Sequence, residues 1–453
     1  MFKFKPLVML VLLASASAVN ASNVAIIDSG TDMRHLDIEP KAWINANEIP
    51  GNDRDEDRNG YQDDVFGWNF AEGNSEVIDY SYLGTLNEDI KKFFKVQAKI
   101  LVGEHTEEEI EWARAMVKDE AFIKRISIYG NFMHGTHVTG IAIENAPEAK
   151  VMAVKLIPTE VKLPFFVMPH EKGAGMWLLK KSVGFLATQQ VAQFKEIIAY
   201  VDSHNMDIAN GSFGTGYPQA KMIITAIAKV VYKKITPEEL EEAVRHFLDT
   251  LISEGLESFQ SADKTLFVFA AGNDGLSNDE FPIYPTNLKA DNIISVAASY
   301  DYNSLASFSN YGKEMVDVAA PGVNIVSTAP GNQYIGVSGT SQAAPFIAGV
   351  AAQIKDANSS LAPKQIKDII MGTVDLKDWL KGKVVTGGVV NTSRALSAGR
   401  LSNRMSVSDA IGISRGQVED VTVTPNKSLR VSSSYFEGFV LPLPNQFVFG
   451  ALR

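Results

Sequence analysis

Short runs of consecutive apolar residues recur along the chain and are separated by longer stretches with helical spacing. Four of these runs have the length of a strand, at residues 24–27, 151–154, 266–271 and 293–298. Continuous apolar runs of this length are typical of parallel strands that are buried on both faces of a sheet. Each run therefore predicts a strand in the centre of a parallel sheet.

The stretches between the runs predict helices at residues 186–203, 219–233 and 236–259. The third begins with Thr236, followed by proline at the first helical position and by Glu239, which is the pattern of a capping box. Strands that alternate with helices favour an α/β fold with a doubly wound, mostly parallel sheet and helices on both of its faces. Ligands of such folds bind beyond the carboxyl ends of the strands.

Three segments interrupt this alternation. Residues 71–130 are charged, with apolar positions at helical spacing, and residues 156–185 form a second irregular stretch. We interpret both as insertions on the surface. Residues 401–453 change character again, because apolar and polar residues alternate there, as at 418–423. This alternation predicts a small β-rich C-terminal extension.

The N-terminus has the pattern of a secretory signal peptide over residues 1–18. Lys3 and Lys5 precede an apolar run at residues 7–13, and small residues of the A-x-A type follow at 14–18. A buried core strand is the alternative. The run is too short to span a bilayer, and no other segment is long enough. We therefore expect an exported protein, secreted or periplasmic, without a transmembrane segment.

Composition narrows the class of protein. The chain has 453 residues, with 42 Lys and Arg against 53 Asp and Glu, and a formal net charge of −11. Hydrophobic residues make up 45% and charged residues 21%, which is typical of a globular protein with two or three domains or one large α/β domain with additions. The acidic balance argues against nucleic-acid binding. Because there is no cysteine, disulfides, thiolate metal sites and cysteine nucleophiles are excluded.

Three short motifs combine the residue types of nucleophilic catalysis. They are IIDSG at residues 26–30, HGTHVTG at 134–140 and GVSGTSQAAP at 336–345; we expect the histidine and the serine each to open a helix. A serine hydroxyl needs an adjacent imidazole as general base, and the imidazole needs a carboxylate that fixes its tautomer. Taken singly, each motif has a more ordinary interpretation: a helix cap for the serine, half of a metal site for the paired histidines, and an acid at a strand end.

Taken together, the three motifs resemble those of the subtilisin-like serine protease family, in its Asp, His, Ser chain order. The resemblance covers residues 22–398, with the two insertions as gaps, and implies a subtilisin-like α/β domain. It implies that Asp28 is the orienting acid, His134 the general base and acid, and Ser341 the nucleophile. His137, one helical turn after His134, is structural in the family pattern.

Two further segments agree with this family pattern. The segment AAGND at residues 270–274 resembles the family's oxyanion strand end, which implies that Asn273 donates its side-chain amide to the oxyanion; a turn asparagine is the alternative. The segment NGSFG at residues 210–214 resembles the strand that pairs with the substrate backbone. The implied substrate-binding residues are Ser212, Phe213, Gly214 and Gly272.

An acidic segment at residues 51–70 predicts a calcium site. It matches the first nine positions of an EF-hand-type loop, with acids at positions 1, 3 and 9, asparagine at 5, glycine at 6 and a backbone carbonyl at 7. The candidate ligands are Asp55, Asp57, Asn59, Tyr61 and Asp63. Position 12 is Phe66 instead of the bidentate glutamate, so Asp53 or Asp64 would have to supply the missing oxygens. A solvated acidic turn is the alternative.

Two features depart from the family pattern. Gln342 follows the implied nucleophile where methionine is common, and the short distance between the predicted cleavage region and Asp28 leaves no room for an N-terminal prosegment. We expect the insertions, the C-terminal extension or calcium to assist folding instead.

The leading hypothesis is an exported serine endopeptidase that hydrolyses peptide bonds of protein or peptide substrates through an acyl-enzyme. It would be stabilised by calcium and use no organic cofactor. One alternative is a non-catalytic, calcium-stabilised binding or surface protein on the same scaffold; another is a peptide ligase or cyclase, in which an amine intercepts the acyl-enzyme. The intact set of Asp28, His134, Ser341 and Asn273 argues against an inactive scaffold. No pattern in the sequence indicates an oligomeric state.

Overall fold

The computed structural model describes residues 21–160, 175–231 and 235–422. The predicted signal peptide lies outside the described residues, as do residues 161–174 of the second insertion and the C-terminal extension from residue 423 onwards. Within the described ranges, no helix combines the length and the apolar character that crossing a membrane would require.

A sheet of ten strands is the frame of the fold, and a separate hairpin of β9 and β10 lies beside it. The strands are β1 (Asn23–Asp28), β2 (Gly67–Asn69), β3 (Lys150–Lys155), β4 (Ile208–Gly211), β5 (Leu266–Ala270), β6 (Ile293–Tyr300), β7 (Ser304–Leu305), β8 (Val318–Pro321), β9 (Ile325–Ala329), β10 (Gln333–Val337), β11 (Asp375–Leu376) and β12 (Gly388–Val389). Their order across the sheet is β11-β12-β8-β6-β5-β4-β1-β3-β2, with β7 paired to β6. All pairs in this sheet are parallel except β6–β7 and β11–β12. The predicted α/β class is confirmed, and each of the four apolar runs forms a strand.

Helices cover both faces of the sheet. They are α1 (Glu88–Leu101), α2 (Glu107–Met116), α3 (Glu120–Glu144), α4 (Gly175–Ser203), α5 (Tyr217–Val231), α6 (Pro237–Ser261), α7 (Thr340–Ala357), α8 (Pro363–Gly372), α9 (Thr392–Leu401) and α10 (Val407–Gln417), with short 3-10 turns at Glu39–Lys41, Tyr80–Tyr82 and Asp378–Leu380. The capping box predicted for α6 is present, because Thr236 Oγ1 accepts the N–H of Glu239 and the Glu239 carboxylate accepts the N–H of Thr236.

Alternate residues of β1 serve two different cores. Val24 and Ile26 belong to the core that α3, α7, α8 and α9 cover, whereas Ala25 and Ile27 belong to the core under α4, α5 and α6. Burial on both faces explains why the strand is a continuous apolar run rather than an alternating one.

The strand β1 also marks the place where the connectivity of the sheet reverses. It pairs with β3 on one side and with β4 on the other, although the chain visits β2 and β3 first and crosses over to β4 later. Such a reversal opens a crevice at the carboxyl end of the strand, where ligands of doubly wound folds bind. Asp28, the last residue of β1, stands at this point.

The first predicted insertion is helical, as expected, but it does not end before the histidine motif. The helix α3 begins at Glu120, where Asp119 caps it by accepting the N–H groups of Ala121 and Phe122, and it continues to Glu144. The expectation that His134 opens a helix is therefore wrong. Together with α1 and α2, the first half of α3 encloses a separate apolar cluster, which includes Phe93, Phe94, Phe122 and Ile126.

Two further expectations about the chain's irregular segments need correction. The helix α4 starts at Gly175, so the last part of the predicted second insertion belongs to that helix. The described part of the C-terminal extension is helical rather than β-rich: Ser406 caps α10 by accepting the N–H of Asp409, and Ile411 packs on Gly372 of α8. The helix α10 packs against α9 and α8, and residues 418–422, which carry the alternation of apolar and polar residues, form neither a strand nor a helix.

Candidate active site

The implied acid and base are in direct contact. Asp28 is fully buried, and its Oδ1 accepts hydrogen bonds from His134 Nδ1 at 2.7 Å and from the backbone N–H of Ser29 at 2.7 Å. With its hydrogen on Nδ1, the neutral imidazole of His134 keeps a lone pair on Nε2, as a general base requires. Asp28 Oδ2 is buried and has no hydrogen-bond partner among the described residues, so a positive charge on His134 would be the main compensation for this carboxylate.

Glycine lets the helix that carries His134 dock against the end of β1. A Cβ at Gly135 would lie 2.2 Å from the carbonyl oxygen of Gly30, and Gly30 itself has a φ of +110°. The N–H of Gly135 also donates to Ser29 Oγ at 3.3 Å. The contact between Asp28 and His134 thus depends on a close approach of two backbones that only glycine permits.

Ser341 is the second residue of α7, which contacts α3 as well as β4, β5, β6 and β8. Its Oγ donates to the carbonyl oxygen of Ser212 at 3.3 Å, and Ser212 Oγ donates to the Ser341 carbonyl at 3.0 Å. Among the residues that the structure describes, no hydrogen bond joins Ser341 to His134. At the second helical position the N–H of Ser341 lacks an intrahelical acceptor, so it is available to an external oxygen.

Asn273 is fixed beside the turn that precedes Ser341. Its Oδ1 accepts the backbone N–H of Thr340 at 2.9 Å and the Thr340 hydroxyl at 2.8 Å. Because a backbone N–H can only donate, this contact assigns the amide oxygen to the Thr340 side and turns the NH₂ group the other way. A Cβ at Gly339 would lie 3.3 Å from that nitrogen, so the NH₂ group borders the turn.

The implied substrate-binding residues lie at the carboxyl ends of β4 and β5, as predicted for the family pattern. Gly272 has a φ of +117° and donates its N–H to Thr340 Oγ1 at 3.1 Å, which ties the end of β5 to the start of α7. Ser212 and Gly214 follow β4 directly. The ring of Phe213, in contrast, is buried in the core and stacks on Phe194 with ring centroids 5.3 Å apart, so this side chain is not available to a substrate.

His137 is buried one turn after His134 and connects α3 to two neighbouring elements. Its Nε2 donates to the carbonyl oxygen of Ile335 in β10 at 3.0 Å, and Nδ1 lies 3.5 Å from Nε2 of Gln342. Burial lowers the pKa of His137 from 6.5 to about 4, and the nearby His134 acts in the same direction. This residue is therefore neutral near pH 7 and suited to a structural role.

The acidic segment brings together only part of the predicted calcium ligands. Carboxylate oxygens of Asp55 and Asp57 lie within 4.8 Å of one another and of an oxygen of the buried Glu48, which the sequence reasoning missed. Asp63 lies outside this group, and its two oxygens accept the N–H groups of Gly51, Asn52 and Asp53. Asn59 turns its amide oxygen to the N–H of Tyr61 and its nitrogen towards Asp57.

A second group of ligand atoms adjoins the first and shares Asp57 with it. Asp64 and His204 complete this group, again with all ligand atoms within 4.8 Å of one another. Burial raises the pKa of Asp64, although hydrogen bonds from Tyr200, Asn45 and Asn59 oppose the rise. The loop pattern indicated Asp64 only as a residue that could supply missing oxygens. His204 gives no local signal, because it lies 145 positions from Asn59 in the chain.

Thr340 is a further residue that sequence reasoning missed. Its hydroxyl accepts from Gly272 and donates to Asn273, so it ties the end of β5 to the residue that precedes Ser341. In the sequence it reads as an ordinary helix-start threonine, because its partners lie 67 and 68 positions away.

Comparison with known proteins agrees with the geometry. The model of the subtilase family (peptidase S8) matches residues 20–405. Over 249 residues, 53% of this chain and 69% of the relative, the sequence is 31% identical to subtilisin BL of Lederbergia lenta. Over 392 residues, 84% of this chain and 44% of the relative, it is 24% identical to subtilisin-like protease 1 of Plasmodium falciparum.

A solved structure of the subtilase cytotoxin SubAB assembly aligns with 85% of this chain and 92% of that chain, with a TM-score of 0.48 and 17% identity. The chain spans about half the length of several curated relatives that it matches.

Proposed function

This chain belongs to the subtilase family of serine peptidases, and we propose that it is an exported endopeptidase with Ser341 as the nucleophile. In this proposal His134 takes the proton from Ser341 and returns it to the leaving group, while Asp28 orients the imidazole. Asn273 and the N–H of Ser341 together bind the oxyanion. The substrates are proteins or peptides.

The hydrogen bond between Asp28 and His134 is the observation that carries the proposal. It joins two residues that are 106 positions apart, at the carboxyl end of the strand where the sheet connectivity reverses. A fully buried carboxylate is costly to the fold unless a partner compensates it. An imidazolium formed during catalysis is such a partner, so the arrangement supports the base function of His134 better than a purely structural one.

Ser341 has to change its hydrogen-bond partner during the reaction. Its hydroxyl donates to the Ser212 carbonyl in this structure. When substrate is bound, rotation about the Cα–Cβ bond would bring the hydroxyl to Nε2 of His134, since catalytic hydrogen bonds commonly tighten only in the complex. Oγ then forms a bond to the peptide carbonyl carbon as its proton passes to Nε2, and the carbonyl oxygen becomes negative between its two donors.

The second half of the reaction reuses the same groups. His134 gives its proton to the leaving amine as the peptide C–N bond breaks, which leaves an acyl-enzyme on Ser341. Water then attacks the ester with His134 as base, and the acid product departs. The main chain at residues 212–214 would hold the substrate as an added strand, because main-chain hydrogen bonds accept many side chains.

Turnover of an unfolded protein substrate by purified variants tests this proposal. We expect D28N to retain the fold but to lower kcat by about 10⁴, because the asparagine amide favours the wrong tautomer of His134. We expect the single variant S341A to be less active than D28N, because it lacks the nucleophile. A D28N enzyme with more than about a tenth of the activity would contradict the assignment of the base and its orienting acid.

We also propose that the acidic segment binds calcium, with Glu48, Asp55 and Asp57 as carboxylate ligands. The fit is electrostatic: three carboxylates converge, and none of the described Lys or Arg side chains forms an ion pair with them. Hard cations such as Ca²⁺ prefer oxygen ligands of this kind. If calcium binds the folded chain and not the unfolded chain, a free Ca²⁺ concentration of 100 times the dissociation constant would stabilise the fold by about 2.7 kcal/mol.

The calcium proposal is tested by thermal unfolding of the S341A protein with Ca²⁺ or with a chelator. We expect the chelator to lower Tm in the parent and to have little effect in D55N. Asp53 is an acid of the same segment outside the group, so D53N is the matched control and should keep the calcium response. Equal Tm values with and without Ca²⁺ in the parent would contradict the proposal.

Export rests on the pattern at residues 1–18 alone and is part of the proposal. Expression of the full chain in a bacterial host followed by mass spectrometry of the exported protein tests it. We expect a mature N-terminus after residue 16, 18 or 21, where a small residue completes the cleavage pattern. Retention of the intact N-terminus inside the cell would contradict it.

A further inference from the structure

The second group of ligand atoms contains a nitrogen, which calcium sites rarely use. One oxygen each of Asp57 and Asp64 and a ring nitrogen of His204 lie within 4.8 Å of one another. Asp64 is fully buried, and the side chain of His204 is only 10% exposed. Mixed imidazole and carboxylate ligands favour divalent transition metals over calcium and magnesium.

The imidazole of His204 is held in the tautomer and orientation of a metal ligand. Its Nδ1 donates to the carbonyl oxygen of Tyr200 at 2.7 Å, and Trp43 contacts the ring edge-to-face with centroids 5.3 Å apart. Nε2 is thereby directed towards Asp64, with Oδ2 at 3.6 Å. Histidine ligands of metals usually donate their other ring N–H to a backbone carbonyl or carboxylate in this manner.

The buried carboxylate of Asp64 has a similar outer set of contacts. The hydroxyl of Tyr200 donates to Oδ2 at 2.8 Å, and Asn45 Nδ2 donates to Oδ1 at 2.7 Å. Tyr200 therefore orients both His204, through its carbonyl, and Asp64, through its hydroxyl. Outer contacts of this kind fix metal ligands before the metal binds.

The three ligand atoms converge on one point, which the side-chain nitrogen of Asn59 occupies. Asn59 Nδ2 lies 3.1 Å from Asp64 Oδ2, 3.4 Å from Asp57 Oδ2 and 3.4 Å from His204 Nε2. An amide NH₂ has two hydrogens for these three acceptors, and it brings no net charge to two carboxylates. A cation at the same point would satisfy all three acceptors at once.

We propose that Asp57, Asp64 and His204 bind a divalent transition-metal ion, such as Zn²⁺ or Co²⁺, after the Asn59 amide swings aside. The ion would tie the acidic segment to the C-terminal end of α4, which carries His204 beyond its last turn. This site goes beyond the proposed peptidase activity and differs from the proposed calcium site in its nitrogen ligand, although Asp57 belongs to both.

Titration of the S341A protein with Co²⁺ tests the proposal, because Co²⁺ has a visible absorption spectrum that responds to its ligands. We expect one Co²⁺ per chain, displaced by Zn²⁺, and an affinity lower by at least about tenfold in H204Q. His246 is an exposed histidine on α6, so H246Q is the matched control and should bind as the parent does. Unchanged Co²⁺ affinity in H204Q, or an equal loss in H246Q, would overturn the proposal.

Two further measurements keep the test independent of folding and of the calcium site. Asp57 is partly exposed, so D57N should fold as the parent does and should also weaken Co²⁺ binding; a D57N protein with parental Co²⁺ affinity would overturn the proposal. Terbium luminescence reports the all-oxygen site separately, and H204Q should keep it. Loss of terbium binding in D55N with retention of Co²⁺ binding would support two sites, so failure of one proposal is distinguishable from failure of the other.

Discussion

Replacement of His137 by glutamine should change how the stability of the fold depends on pH. His137 is fully buried, and its Nε2 donates to the carbonyl of Ile335. Glutamine carries a donor at nearly the same reach but does not titrate between pH 4 and 7. The variant therefore removes the protonation of this site and retains the donor.

The size of the change in stability follows from the pKa of His137 in the folded and in the unfolded chain. Burial lowers the pKa of His137 from 6.5 to about 4 in the folded protein, so the unfolded chain binds a proton at a higher pH than the folded one. The stability that neutral His137 contributes is complete above pH 6.5 and decreases as the pH falls towards 4. Integrated between pH 7 and pH 4, the loss is about 3 kcal/mol for this one group.

Urea unfolding of S341A and of the S341A/H137Q double variant at pH 7, 6, 5 and 4 measures this loss. The S341A background prevents self-digestion during the measurement. All other titrating groups contribute equally to both proteins, so the difference between the two free energies of unfolding isolates His137. We expect this difference to shift by about 3 kcal/mol in favour of H137Q between pH 7 and pH 4.

Parallel stability curves for the two proteins would refute the reasoning, because they would mean that His137 is protonated in the folded state or exposed to water. The exposed His246 provides the control. H246Q in the same S341A background separates an effect that is specific to His137 from the effect of replacing a histidine by glutamine elsewhere on the chain.

Three shorter predictions concern other contacts of the site and the fold. N273D keeps the acceptor for the start of α7 but loses the amide donor, so kcat should fall by about 10² to 10³ with little change in KM or Tm, as steady-state kinetics would show; unchanged kcat would favour a turn role. G135A places a Cβ against the Gly30 carbonyl, so activity should fall at least about tenfold in the same assay, and full activity would contradict the close approach of α3 and β1. R394M leaves the buried Asp375 without its ion pair and should cost about 3–5 kcal/mol in urea unfolding, whereas a cost below about 1 kcal/mol would show that the pair is not needed.

The parts of the fold that were predictable from sequence are those in which local pattern and tertiary burial agree. The central strands are buried on both faces, so each is a short continuous apolar run in the sequence. The capping box at Thr236 is equally local, because its donors and acceptors are three residues apart. The helix α10 has a local start signal, because Ser406 accepts the N–H of Asp409, but the alternation of apolar and polar residues at 418–423 suggested strands for the whole segment.

The candidate site shows the same division. Asp28, His134, Ser341 and Asn273 stand in motifs whose residue order is informative by itself, and the structure brings them to one end of the sheet. Thr340 carries no such signal, because its role exists only through contacts with residues more than 60 positions away.

The acidic segment was interpreted from spacing alone, and spacing does not encode where a side chain turns. Asp63 fits position 9 of the loop pattern but accepts backbone N–H groups at residues 51–53 instead. Glu48 and His204 reach the same segment from before it and from the end of α4. The contact of His204 is a product of the tertiary fold, and Glu48 lies before the first position of the loop pattern, so the spacing of the pattern indicates neither residue.

Labelling with a fluorophosphonate probe tests the central claim most directly, because the probe reacts only with a serine hydroxyl that a neighbouring base activates. We expect the purified chain to be labelled at Ser341, as mass spectrometry of the labelled peptide would show, and D28N to be labelled far more slowly. Labelling at another serine, or equal rates in the parent and in D28N, would contradict the claim that the Asp28–His134 pair activates Ser341.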